Sequence, residues 1–216
     1  MARRIQLEEP ADTANRLHAH ILLDRSGSMA NMADDAIGAF NDYRQRLAED
    51  QPDARLSLTI FDGNSIDTIV NDVVVGDVPL LTRDTYQPRG STPLYDSITH
   101  AVGLLDAVSQ GRKALVILTD GGDTGNRTAT KESVRLLLEN RQEMQNWLVL
   151  FLGANQDAFA EGGQIGTSGG TTMNFSANGA GLRGATMSAY ASTIRYASSG
   201  SLADAAFTDE ERADAE

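Results

Sequence analysis

The stretch ILLDRSGS, residues 21–28, joins an apolar run to a loop of acidic and hydroxyl side chains. The apolar residues end a predicted strand over 18–24, because a short continuous apolar run followed by a polar loop is typical of a buried strand. Apolar residues then recur at helical spacing over 29–49, which predicts a helix. A buried strand that leads directly into a helix is the repeating unit of an α/β fold.

Strands and helices alternate along the rest of the chain. Residues 54–62 alternate in polarity and end in an Asp-Gly turn, and residues 65–75 follow closely enough to pair with them as a hairpin. This order predicts one domain with a mostly parallel sheet, one antiparallel edge strand and helices on both faces. Further strands are predicted at 113–120, 146–153 and 171–176, and further helices from 91–93 onward, at 128–144 and at 181–198.

The composition excludes several classes of function. The chain has 216 residues, 41% of them hydrophobic, so it can bury a substantial core without covalent cross-links. It has no cysteine, which excludes disulfides, thiolate metal ligands and a cysteine nucleophile. The net charge is −12, and the basic residues, only two of them lysines, are scattered rather than clustered. Nucleic acids and anionic membranes are therefore not expected as partners.

The sequence predicts neither a secretory signal nor a membrane span. The N-terminal sequence MARRIQLEEP has no apolar segment of the kind found in secretory signals, and no stretch approaches the ~18 apolar residues of a membrane span. We therefore expect a cytoplasmic protein. An N-terminal extension, 1–16, and an acidic C-terminal tail, 200–216, are expected to flank the domain, and the tail is expected to fray from Asp204 onward because it has few apolar residues.

Three segments place oxygen-bearing side chains at the ends of predicted strands or the starts of helices. They are DRSGS at 24–28, GSTP at 90–93 and TDGGD at 119–123. Because the carboxyl ends of parallel strands meet at one edge of a sheet, we expect the three segments to converge there. An extended loop would also point residues 24, 26 and 28 the same way. The candidate metal ligands are Asp24, Ser26, Ser28, Thr92 and Asp120.

These candidate ligands comprise two carboxylates and three hydroxyls. Sites made only of oxygen suit hard cations, so we expect Mg²⁺ or Mn²⁺, with Ca²⁺ less favoured. Two carboxylates balance the charge of a divalent cation without exceeding it, and a carboxylate from another molecule could therefore bind the cation well. Arg25, Ser91 and Asp123 flank the set and are candidates for a rim that contacts a partner.

DRSGS, followed by GSTPLYD and then LTDGGD, resembles the von Willebrand factor A (vWA) domain family over residues 17–199. The metal-ion-dependent adhesion site (MIDAS) of that family reads Asp-x-Ser-x-Ser, then a Thr and then an Asp. The resemblance implies a Rossmann-like, doubly wound sheet of six strands. It implies that Ser26, Ser28 and Thr92 are direct or near-direct ligands, and that Asp24 and Asp120 often act through water.

The resemblance also implies a function. A vWA domain of this type would be a non-enzymatic module that engages an Asp or Glu of a partner protein through the bound cation. The lack of cysteines and of a secretion signal favours the intracellular prokaryotic or viral branch over extracellular adhesion. Two alternatives stay open: a metal-dependent hydrolase of phosphate esters, and a structural subunit of a larger assembly or virion. The hydrolase would need a nucleophile or base such as Ser26 or Asp123, yet no Walker A loop is present.

Several of these residues also have purely structural interpretations. Asp24 and Asp120 stand at strand-to-helix junctions, where carboxylates commonly cap helices. Thr92 precedes a proline, which predicts a hydroxyl cap with proline at the first helical position. His18 and His20 alternate on one side of a strand without a third ligand, so they are interpreted as structural.

Overall fold

The computed structural model describes residues 13–125, 127–154 and 158–216. These residues form one six-stranded sheet with helices against both faces, which confirms the predicted fold class. Residues 1–12 of the predicted N-terminal extension, 1–16, lie outside the described residues. The strands are β1 (Leu17–Asp24), β2 (Arg55–Phe61), β3 (Ile66–Val74), β4 (Arg112–Thr119), β5 (Leu148–Ala154) and β6 (Thr172–Phe175).

The described helices follow the predicted order with two differences. A 3-10 helix, Gly27–Met32, separates β1 from the first α-helix, which therefore begins later than predicted. The short fourth helix has no counterpart in the sequence prediction, because paired glycines, Gly162 and Gly163, disfavour a helix. The helices are α1 (Ala33–Asp50), α2 (Leu94–Asp106), α3 (Lys131–Gln145), α4 (Ala158–Gln164), α5 (Gly179–Ser199) and α6 (Asp209–Ala213).

The strand order is β3-β2-β1-β4-β5-β6. Neighbouring strands run parallel except β2 and β3, which pair antiparallel at one edge, as predicted. From β1 the chain proceeds outward to β2 and β3, and it then crosses to β4 on the other side of β1. The carboxyl ends of β1 and β4 therefore meet where the strand order reverses, which is the place where ligands bind in open α/β sheets.

Both faces of the sheet are buried because side chains alternate along each strand. In β1, Ala19 and Ile21 face the layer formed by α1 and α5, whereas Leu22 faces the layer formed by α2 and α3. Burying a side chain of valine to phenylalanine size stabilises a fold by ~1.5–3 kcal/mol. The two layers together form the hydrophobic core, which stabilises the domain without disulfide bonds. None of the described helices has an apolar stretch that could span a lipid bilayer.

Trp147 directly precedes β5, at the amino-terminal end of a parallel strand. It is the only tryptophan in the chain and is 1% exposed. The ammonium of Lys113 lies 5.1 Å from the ring centroid, and the guanidinium carbon of Arg141 lies 5.9 Å from it. Such cation–π contacts contribute ~0.5–2 kcal/mol. Trp147 is therefore fixed at the edge of the sheet opposite the carboxyl ends of the parallel strands.

Residues 200–216 pack against α5 and β6, so the prediction that the tail frays was wrong. Phe207 and Ala215 are buried, and a capping box begins α6. Arg195 of α5 pairs with Glu211 of α6 at 2.7 Å. The sequence prediction considered the scarcity of large apolar residues, whereas the segment is held by small buried residues and by an ion pair with another helix.

Gly184 in α5 allows this close packing. A Cβ at Gly184 would lie 2.3 Å from the carbonyl oxygen of Asp214. We expect Gly184→Ala to lower the free energy of unfolding by ~1–3 kcal/mol in urea denaturation, because overpacking displaces the segment. Gly103→Ala in α2 is the matched control: no heavy atom outside its own helix lies within 4 Å of the added Cβ, so stability should rise by ~1 kcal/mol. Equal effects of the two substitutions would contradict the assigned contact.

Candidate functional site

Strand β1 brings the first carboxylate to the carboxyl edge of the sheet. Asp24 is its last residue and is fully buried. Its Oδ1 atom accepts a hydrogen bond from the backbone N–H of Ser26 at 2.7 Å, and its Oδ2 atom accepts one from the hydroxyl of Thr119 at 2.6 Å. The hydroxyl of Tyr86 donates to the backbone carbonyl of Asp24. The carboxylate is thereby fixed between the ends of β1 and β4.

Two hydroxyls link the end of β1 to the end of β4. The Oγ atoms of Ser26 and Ser28 are 3.0 Å apart, and the hydroxyl of Ser28 donates to Oδ1 of Asp120 at 2.7 Å. Ser26 is buried, Asp120 is half-buried and Ser28 is exposed, so the chain of oxygens runs from the interior to solvent. Hydrogen bonds therefore connect four of the five predicted ligands: Asp24, Ser26, Ser28 and Asp120.

The fifth predicted ligand, Thr92, is buried on the loop before α2. Its backbone pairs with that of Thr124 through hydrogen bonds of 3.1 and 2.8 Å. Upstream on the same loop, the carbonyl of Gly90 accepts the N–H of Gly27 at 3.1 Å. Gly90 has a φ of +67°, a conformation that glycine adopts without strain. The loop that carries Thr92 is therefore bonded to the first candidate segment and to Thr124, the residue directly after the third.

Helix α2 begins at Leu94, and its first N–H is capped from another segment. The sequence predicted a hydroxyl cap from Thr92 with the following proline inside the helix; that prediction was wrong. Oδ1 of Asp123 instead accepts the N–H of Leu94 at 2.9 Å. A carboxylate is favourable at a helix N-terminus because the free N–H groups there carry partial positive charge. Asp123 thus ties the β4 loop to α2, and its contact with a partner stays a prediction.

The other two candidate rim residues differ in exposure. Ser91 is exposed. Arg25 is 5% exposed, and its guanidinium donates to Asp62, at the turn between β2 and β3, and to Asp67 of β3, each at 2.7 Å. Asp62 is itself buried, so Arg25 neutralises a carboxylate that water does not reach. These contacts anchor the Asp24 loop to the hairpin, while a contact of Arg25 with a partner stays a prediction.

Burial raises the pKa of both candidate carboxylate ligands. The pKa of Asp24 rises from 3.8 to about 6, because burial and the charge of Asp120 outweigh the hydrogen bonds from Thr119 and Ser26. Burial also raises the pKa of Asp120, against the hydrogen bond from Ser28. Two carboxylates are therefore held close together in surroundings that disfavour their charged forms, and a cation bound between them would offset that penalty.

Thr119 and Tyr86 are not among the predicted ligands, although both donate hydrogen bonds to Asp24. Thr119 does carry a signal, because it is a hydroxyl residue at the end of an apolar run and directly before Asp120. Tyr86 carries none. It lies in a long loop, and its contact with the end of β1 depends on the path that the loop takes across the sheet edge.

His18 and His20 are held by hydrogen bonds within the sheet. Nδ1 of His18 lies 2.7 Å from Oδ1 of Asp72, and Nε2 of His20 lies 2.9 Å from the hydroxyl of Thr59. Burial lowers the pKa of His20 from 6.5 to about 3, with a smaller contribution from the charge of His100. Both histidines precede the carboxyl end of β1, so neither belongs to the oxygen cluster.

The donor types of the cluster fit a hard divalent cation. In the part of the chain that the structure describes, no three His, Asp or Glu side chains converge on a metal-sized site. A cation at the carboxyl edge would therefore depend on hydroxyl oxygens as well as on Asp24 and Asp120. Carboxylate and hydroxyl oxygens without nitrogen or sulfur are ligands that suit Mg²⁺ and Mn²⁺.

No protein-family model and no curated protein sequence matches the chain, but solved structures match it in fold. Proximal thread matrix protein 1 from the mussel byssus is 15% identical, with a TM-score of 0.62 over 83% of this chain and 46% of that chain. The PilB minor pilin from Streptococcus sanguinis is 15% identical, with a TM-score of 0.63 over 85% and 62%. The SpRpn10 VWA domain is 16% identical, with a TM-score of 0.53 over 74% and 87%.

These similarities concern the fold, since none of the three exceeds 16% identity. The chain spans 46% of the length of the mussel protein and 62% of the pilin, whereas it covers 87% of the SpRpn10 VWA domain. The three are named as a matrix protein, a pilin and a VWA domain rather than as enzymes. The similarity therefore extends over most of the SpRpn10 VWA domain and over only part of each of the two longer chains.

Proposed function

We propose that this domain, which has the fold of the vWA domains, binds a divalent cation at the carboxyl edge of its sheet and through it engages an Asp or Glu of a partner protein. The observation that carries the proposal is the hydrogen-bonded chain of oxygens from Ser26 through Ser28 to Asp120. It joins two loops at the point where the strand order reverses. It also reaches solvent at Ser28, where a partner can approach.

The candidate ligands divide into two groups by charge. Asp24 and Asp120 supply two negative charges, and the hydroxyls of Ser26, Ser28 and Thr92 supply neutral oxygens. Bound Mg²⁺ or Mn²⁺ would provide a coordination position that a carboxylate from outside can fill. The two resident carboxylates only balance the cation, so they leave it able to attract the partner's negative charge.

The surroundings of the cluster favour binding over hydrolysis. Asp123 is a conceivable general base, but its Oδ1 atom accepts the N–H of Leu94 as a helix cap. Ser26 is a conceivable nucleophile, but it is buried and shares a hydrogen bond with Ser28. We therefore infer a non-enzymatic interaction module. Its placement in a prokaryotic cytoplasm or a virion stays an expectation from the sequence.

Calorimetric titration with Mg²⁺ and with Mn²⁺ tests the metal site through Thr92. We expect saturable binding by the wild type, and Thr92→Val should weaken it ~10–100-fold because valine keeps the shape and removes the hydroxyl. Ser91→Ala is the matched control, since it removes a neighbouring hydroxyl that is not in the ligand set, and its affinity should equal that of the wild type. Wild-type protein that binds neither cation at millimolar concentration would refute the metal site.

Selection of a displayed random-peptide library on the immobilised domain tests the partner chemistry. Peptides selected in Mg²⁺ should be enriched in Asp or Glu, and the enrichment should be absent when EDTA replaces Mg²⁺. The physical reason is that, without the cation, the same edge presents two carboxylates that repel an acidic peptide. Acidic peptides that bind equally well in EDTA would contradict bridging by a metal.

A further inference from the structure

A cavity of about 330 Å³ opens beside the candidate metal site, at the carboxyl ends of β4 and β5. We call it the Glu161 pocket. Thr119 lines it and also donates a hydrogen bond to Asp24, so the pocket and the oxygen cluster share a wall. The volume lies at the low end of the ~300–1,000 Å³ that is usual for ligand sites, which leaves room for one long side chain. The pocket is lined chiefly by Thr119, Gly121, Gly122, Phe151, Glu161 and Gln164.

The carboxylate of Glu161 gives the pocket its charge. Among the described residues that line the pocket, Glu161 is the one that carries a charge. The hydroxyl of Tyr95, a buried residue of α2, donates to Oε1 of Glu161 at 2.7 Å and so fixes the carboxylate at the wall. Lys131 donates to the amide oxygen of Gln164, and it is not among the lining residues.

The carboxylate of Asp123 adds to the negative potential at Tyr95. Burial raises the pKa of Tyr95, and the hydrogen bond with Glu161 and the charges of Glu161 and Asp123 raise it further. Both carboxylates therefore act on the same phenol, and Asp123 lies just past the glycine pair that lines the pocket. A cationic side chain entering the pocket would meet a fixed carboxylate in a partly enclosed space, where charge pairs are stronger than at an open surface.

We propose that the Glu161 pocket receives the Lys or Arg side chain of a partner segment whose Asp or Glu binds at the metal site. This inference rests on the proposed function and specifies its partner: a segment with an acidic residue and, within a few residues of it, a basic one. The net charge of the chain, −12, favours such a segment over a wholly acidic one, which the domain would repel. The shared wall at Thr119 places the two subsites side by side.

Titration of the metal-free domain tests the pocket without the metal site. The probes are N-acetylarginine amide and N-acetylcitrulline amide, which have nearly the same shape and differ in charge, and the readout is the amide NMR signals of Gly121 and Gly122. We expect arginine to bind about fivefold more tightly than citrulline, and Glu161→Gln to remove this preference. Glu143→Gln, which removes an exposed carboxylate outside the pocket, should leave the preference intact.

Peptide selection in Mg²⁺ then tests whether the pocket serves the partner. The wild type should select an acidic residue with Arg or Lys nearby, and Glu161→Gln should keep the acidic residue and lose the basic one. An acidic requirement without a basic preference, or an arginine preference unchanged in Glu161→Gln, would overturn the pocket and leave the proposed function standing. Arginine binding at the pocket without Mg²⁺-dependent selection of acidic residues would instead refute the proposed function and, with it, the linked partner.

Discussion

Asp24→Asn is expected to weaken Mg²⁺ binding strongly and, at the same time, to make the metal-free protein more stable at pH 7. The side chain is fully buried, and burial raises its pKa to about 6. Keeping the carboxylate charged at pH 7 therefore lowers the free energy of unfolding by about 3 kcal/mol in the absence of a cation. Losing one of two charged ligands should weaken Mg²⁺ binding by ~100-fold or more. Calorimetry measures the loss of Mg²⁺ affinity, and urea denaturation in EDTA measures the gain in stability.

The gain in stability should depend on pH in a defined direction. Because the pKa of Asp24 is higher in the folded protein than the usual 3.8, its favourable contribution is present below pH 4 and is lost as the pH rises through about 6. The stability difference between Asp24→Asn and the wild type should therefore be small near pH 4 and complete above pH 6. Asp53→Asn, at an exposed turn, is the control and should show neither effect. A metal-free Asp24→Asn protein that is less stable than the wild type at pH 7 would contradict the assigned burial penalty.

His20 is expected to make the domain sensitive to acid by about 3 kcal/mol between pH 7 and pH 4. The imidazole is fully buried, and its Nδ1 atom has no hydrogen-bond partner among the described residues. Burial lowers its pKa from 6.5 to about 3. As the pH falls below 6.5, the unfolded chain therefore takes up a proton that the folded protein does not, and stability is lost.

Comparing His20→Gln with the wild type isolates this contribution. Asp24 acts in the opposite direction over the same pH range, but it is present in both proteins and cancels in the difference. Urea denaturation in EDTA at several pH values should show that His20→Gln lacks about 3 kcal/mol of the loss between pH 7 and pH 4. His100→Gln removes only the smaller contribution, from the charge of His100, so it should lose much less of this acid sensitivity than His20→Gln does. Parallel stability curves for His20→Gln and the wild type would count against the lowered pKa.

The sheet could be predicted because its strands carry strong local signals. β4 and β5 are continuous apolar runs, and β2 and β3 are separated by a short turn that forces an antiparallel pair. The convergence of Asp24 and Asp120 followed from topology alone, since parallel strands end at the same edge of a sheet. Sequence reasoning succeeded where a residue's neighbours are set by strand order.

Sequence reasoning was insufficient where contacts join segments that are distant along the chain. The cap on Leu94 comes from Asp123 rather than from a neighbouring hydroxyl, because two loops pair at Thr92. The contact of Tyr86 with the end of β1 is of the same kind. The packing of residues 200–216 was not predicted, because it depends on the close approach of the Asp214 backbone to Gly184. A hydropathy pattern does not reveal such an approach.

The position of Trp147 gives the domain a fluorophore whose signal is separate from ligand occupancy. The chain has no other tryptophan, and this one is enclosed at the amino-terminal end of β5, across the sheet from Asp24 and Asp120. Its emission should therefore shift when the β4–β5 region unfolds, and it should stay constant when a cation or a peptide binds at the carboxyl edge. Global melting can thus be followed optically in the same cuvette in which cations or peptides are titrated, without a label and without a correction for binding.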